Sequence, residues 1–141
     1  MGSLDVMVRL ARQAVDRERQ ALLEINAAMA KIERQIDDLA AMARSEAKKG
    51  GDFMTTGATL TAFLRANRQR AMVAVEQLQT LQTAKSDQLL KLQQQRVELK
   101  RYELMAERRA KQKAEDLAAK EQRVIDELLV TRGKRRRSAD G

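Results

Sequence analysis

Two places in the chain set side chains where chemistry could begin. Glu18 is the one polar member of an otherwise apolar stripe, with Lys85 or Lys91 as possible partners. Tyr102, the only tyrosine, stands in a dense run of charge with Lys100, Arg101, Glu103, Glu107, Arg108 and Arg109. A carboxylate beside a lysine can move protons, but only in a shaped pocket, and a tyrosine flanked by arginines can anchor a partner protein. The chain has no histidine and no cysteine. That removes the commonest general base, the commonest metal ligand and any disulfide framework. No catalytic residue, cofactor site or metal site is expected.

The elements that would position these groups follow from composition. The 141 residues are 43% hydrophobic but only 2% aromatic, with no proline and 34% charged side chains. Strong helix formers dominate, which predicts long helices rather than a globule with a thick core. Two thin helices offer little concavity, so Glu18 reads as a register-fixing polar residue in a helical seam rather than a catalyst.

From Leu4 the apolar positions run Val8, Ala11, Val15, Glu18, Leu22, Ile25, Met29, Ile32, Ile36, Leu39 and Ala43, in alternating steps of four and three. A period of 3.5 sustained this far predicts a coiled coil. Ser3 or Asp5 is the expected cap. "KKGGDFMTTGATL" then predicts a turn over about 49–57, with Gly50 and Gly51 closing the first helix and Thr55, Thr56 or Thr59 capping the second. No glycine follows until Gly133, so the second helix is expected over about 58–132. Its stripe is looser: Leu60, Leu64, Ala71, Val75, Leu78, Leu81, Leu89, Leu92, Leu99, Tyr102 and Ala106, broken at Lys85 and around 92–96.

A short turn makes the helices antiparallel, with residue n facing roughly residue 107 − n. The fold class is therefore all-α: two long helices in an antiparallel coiled-coil hairpin over 1–132, the second longer and projecting. Residues 133–141 are expected to be a disordered basic tail. Phe53, Met54, Phe63 and Leu64 gather at the turn, either plugging the hairpin tip or staying exposed as a contact patch. Tyr102 falls at the open end. There it either packs against Leu4 and Met7 or anchors a partner among arginines.

The net charge of +8 is concentrated at the C-terminal end, where residues 100–141 carry thirteen bases against eight acids. Such a segment can meet nucleic acid, and a nucleic-acid-binding coiled coil is the alternative reading. Apart from Tyr102 it lacks stacking aromatics, and a zipper-type basic region would precede its coiled coil rather than follow it. A parallel homodimer through the Ile/Leu stripe is a further alternative. No apolar run reaches the roughly 20 residues that span a bilayer.

At its two ends the hairpin carries "LDVMVRLARQAVDRERQAL" and "LKRYELMAERRA". With a glycine-bearing turn between two long helices, this resembles the FliJ family of flagellar type III export proteins, in its alphaproteobacterial form. The resemblance implies a non-enzymatic cytoplasmic stalk, chaperone-like in its contacts and peripheral to the inner-membrane export apparatus. Its free ends would enter the export ATPase ring, and its other partners would be the export-gate membrane protein and export chaperones. It implies no small-molecule substrate, no nucleic acid and a monomeric hairpin. Carried onto this chain, the ATPase-facing residues are Leu4, Val8, Arg9, Arg12, Arg101, Tyr102, Arg108 and Arg109. The hairpin tip, with Phe53, Met54, Phe63 and Leu64, would face the gate.

Overall fold

The structure, a computed structural model, describes residues 2–52 and 57–140. Helix α1 spans Ser3–Asp52 and helix α2 spans Gly57–Asp140, and the two pack antiparallel as a hairpin whose second helix is the longer. The chain divides into two compact units, one of residues 12–96 and one of residues 1–11 with 97–141.

Gly2, rather than Ser3 or Asp5, occupies the cap of α1. Its carbonyl accepts from the backbone N–H groups of Asp5 (3.2 Å) and Val6 (3.4 Å). Asp5 instead sits in the first turn, where its charge complements the helix dipole. At the other end α1 runs through Gly50 and Gly51 to Asp52, beyond the expected start of the turn at residue 49. No glycine among the described residues takes a positive φ. Helical glycine costs about 1 kcal/mol relative to alanine but does not forbid the conformation, and Lys49, 3.9 Å from Glu46, supports the last turns. Helix α2 likewise continues through Gly133 to Asp140, past residue 132 where a disordered tail was expected. The run Lys134 to Arg137 consists of good helix formers, and cations suit a helix C-terminus.

All twelve positions of the α1 stripe are buried or half-buried, Glu18 included. On α2 the outcome differs. Val75 and Leu89, expected inside, are 41% and 46% exposed. Asn67, Ala74 and Gln88 are buried instead, at 4%, 5% and 7%. The face that packs on α1 is Leu60, Leu64, Asn67, Ala71, Ala74, Leu78, Leu81, Lys85, Gln88, Leu92, Gln95, Leu99, Tyr102 and Ala106, every one buried or half-buried. These steps also alternate four and three without a break. The seam of α2 is as regular as that of α1, but four of its positions are polar.

Two of those polar positions bridge the helices within the unit of residues 12–96. Gln88 Nε2 donates to the Glu18 backbone carbonyl at 3.0 Å and also to the Glu18 carboxylate. The expected partner of Glu18 was Lys85 or Lys91. A neutral amide fits better, because its two N–H groups satisfy both oxygens without the cost of burying an ammonium. Asn67 Nδ2 donates to the Leu39 carbonyl at 2.7 Å, while its buried Oδ1 has no partner. In both pairs the residue numbers sum to 106, one less than the expected register.

Candidate partner-binding surfaces

Alternating four–three steps bring about one side chain per turn to the seam and leave its neighbours on the flanks. In the unit of residues 1–11 and 97–141, Leu4, Val8, Tyr102 and Ala106 occupy half-buried seam positions. Residues three positions on from Leu4 and Tyr102 fall on the flank, and these are Met7 and Met105. They are 40% and 45% exposed. Ser3, Leu4, Met7, Tyr102, Met105, Arg108 and Arg109 together line an open, mostly apolar hollow of about 490 Å³. A smaller hollow of about 190 Å³ adjoins it, with Gly2, Asp5, Ala106, Ala110 and Lys113 around the shared Leu4 and Arg109. The Arg109 guanidinium approaches the start of α1 closely: a Cβ on Gly2 would lie 3.7 Å from its Nη1.

This arrangement combines a polarizable apolar floor with fixed positive charge at its border. Thioethers and an aromatic ring adapt to varied apolar side chains, and guanidinium groups pair with carboxylates. Nearby, Arg101 Nη1 lies 3.5 Å from Glu98 Oε2, pairing an exposed arginine with a half-buried glutamate.

Of the eight residues expected at the ATPase-facing end, the structure brings four into one hollow: Leu4, Tyr102, Arg108 and Arg109. Val8 belongs to the seam of the same unit, while Arg9 and Arg101 are exposed on it. Arg12 falls in the other unit and is not part of this cluster. Met105 was missed, and Met7 was expected only as a packing partner of Tyr102, although the three-residue offset from Leu4 and Tyr102 was available to place both on the flank. At the turn, Phe63 and Leu64 are half-buried, whereas Phe53 and Met54 lie outside the described residues.

The unit of residues 12–96 carries a different concavity, an open groove of about 440 Å³ floored by Leu39, Val73 and Ala74 and fringed by glutamines. Among the described residues no cluster of three or more His, Cys, Asp or Glu side chains could hold a metal ion. No helix of the described residues is long and apolar enough to cross a membrane.

The fold and the hollow define an all-α protein, an antiparallel hairpin of two long helices that carries an apolar, arginine-edged hollow. The chain is a member of the FliJ family: the model described as flagellar FliJ protein matches residues 1–138. Neither a curated protein nor a solved structure matches it significantly. It is therefore a flagellar export-related protein, from a family of non-enzymatic components of that export system.

Proposed function

We propose that the chain is the central stalk and adaptor of the flagellar type III export apparatus. In this reading it is a monomeric hairpin in the cytoplasm, held peripherally at the inner-membrane export machinery. The unit built from residues 1–11 and 97–141 binds the export ATPase ring and promotes its assembly. The hairpin tip and the coil surface contact the export gate and the export chaperones.

The observation that supports this most is the basal hollow. Met7, Tyr102 and Met105 leave apolar surface uncovered beside Arg108 and Arg109. Aromatic residues, methionine and arginine are the types enriched where proteins bind one another. The role asked of them is binding rather than catalysis, so it needs no general base.

Mixing the full chain with the purified ATPase should increase ring assembly or ATP hydrolysis. Tyr102→Ala should weaken that effect while circular dichroism still reports a helical protein. An unchanged ATPase with wild-type chain, in an assay where the ATPase is itself active, would refute the activating role. If Tyr102→Ala lowers only the melting temperature, Tyr102 serves to close the hairpin and not to hold the ATPase.

A further inference from the structure

The seam that pairs α2 with α1 ends at Ala106. Continuing its steps gives Arg109, Lys113, Asp116, Lys120, Arg123 and Glu127, all charged and all exposed. One position later, Ala110, Ala114, Leu117, Glu121, Val124 and Leu128 again alternate four and three. Glu121 is the charged member of that stripe, and beyond it the helix changes character.

Val124, Ile125, Leu128 and Leu129 are between 50% and 61% exposed. Arg132, Arg135 and Arg136 follow on the same side. At about 100° per residue, all seven fall within an arc of about 140°, and Asp126 and Glu127 fall outside it. Between Glu127 and Asp140 the sequence has no acid but five cations: Arg132, Lys134, Arg135, Arg136 and Arg137. Lys134 and Arg137 occupy the other side, so the cations surround the helix. None of these residues lines the basal hollow or its neighbour.

We propose that residues 122–138 of α2 are an interfacial anchor for a bilayer surface that carries anionic phospholipid. Apolar and cationic side chains on one face call for hydrocarbon beside phosphate, and a bilayer interface supplies the two together. Nucleic acid offers phosphate without hydrocarbon, and residues 122–138 include no aromatic ring to stack on a base. A docked protein helix covers one side only and leaves Lys134 and Arg137 unmatched. Headgroups surround a helix that lies among them, and long lysine and arginine stems reach them from either side. The helix lies in the interface and does not cross it, since no helix of the described residues is long and apolar enough to do so. The inference goes beyond the stalk reading and does not rest on it.

The test mixes the full chain with vesicles of phosphatidylcholine, alone or with phosphatidylglycerol, and measures co-flotation. No other export component is present, so its failure is distinct from failure of the stalk reading. Affinity for the anionic vesicles should exceed that for neutral ones by at least about 100-fold, and should fall as salt is added. Amide exchange should slow over residues 122–138. Arg132→Gln with Arg135→Gln and Arg136→Gln should lose about 100-fold, at roughly fivefold per cation. Leu128→Ser with Leu129→Ser keeps the charge and should lose about tenfold.

Absent binding, equal binding to both vesicle types, or protection confined to other residues overturns the proposal. So does a leucine variant that binds like wild type, because headgroup attraction alone then accounts for the binding. A DNA duplex that displaces the vesicles at equal phosphate concentration reassigns the cations to nucleic acid. A dimer in sedimentation that the leucine variant abolishes reassigns the apolar face to a second copy. Either result also overturns the anchor.

Discussion

Residues 12–96 and residues 107–138 are built from the same helix-forming alphabet, yet they stand in opposite environments. In the first region Val15, Ala74 and Leu92 are only 3–5% exposed, and two amide side chains cross the seam. In the second, every residue is exposed. Local propensity and i,i+4 contacts, such as Gln112 to Asp116 and Gln122 to Asp126 at 3.1 Å, suffice to describe a helix there. They do not supply the apolar burial that provides most helical stability in proteins. The contrast teaches that periodicity alone does not say whether a seam is filled. Both regions contain an unbroken four–three stripe, and only one has its partner within the chain.

Five substitutions would break or sharpen that contrast. Leu92→Ala, in the filled seam, should cost about 2–4 kcal/mol in thermal or urea unfolding followed by circular dichroism. A cost below about 1 kcal/mol would mean that the two helices do not share a cooperative core there. Gln88→Leu should cost about 1–2 kcal/mol, because the Glu18 carboxylate loses its donor. Restoration of stability by adding Glu18→Leu would identify that pairing as the cause, and continued instability would point to packing instead.

Asn67→Leu should raise stability by about 0.5–1 kcal/mol, since the unpartnered Oδ1 disappears. It should also broaden the association states seen by sedimentation, because a polar seam residue specifies register. A destabilised but uniform protein would contradict both parts. Gly133→Ala meets nothing within 4 Å and should strengthen the local helix by about 0.5–1 kcal/mol, visible as slower amide exchange over residues 130–136. Leu117→Ala, in the open stripe, should change stability by less than about 0.5 kcal/mol. A larger loss would show that Leu117 is buried in solution and that the contrast is false.

Much of this architecture was legible beforehand. The α1 stripe could be read residue by residue because eleven of its twelve positions are apolar. The α2 seam was read less well for a physical reason. The reading followed large apolar side chains and so chose Val75 and Leu89, whereas the backbone presents every 3.5th residue whatever its chemistry. Asn67, Lys85, Gln88 and Gln95 hold those places. Amides are admitted because a facing main-chain carbonyl can accept from them, and no composition rule reveals where such a carbonyl lies. The exposure of Met7 and Met105 was hidden for another reason: it depends on which flank of the seam they occupy. The glycines misled in the other direction: Gly50, Gly51 and Gly133 suggested ends, but each remains helical.

Both cross-seam amides on α2 reach main-chain carbonyls on α1, at Glu18 and Leu39. Every residue type has a carbonyl at that place. Leu39 can therefore be exchanged for any helix-compatible residue without removing the bond from Asn67. The information that aligns the two helices is thus written asymmetrically, mostly in one of them. During sequence drift α1 can change Leu39 and keep its bond, and at Glu18 it keeps the main-chain bond though not the carboxylate one, whereas a change at position 67 or 88 in α2 removes that residue's bond outright.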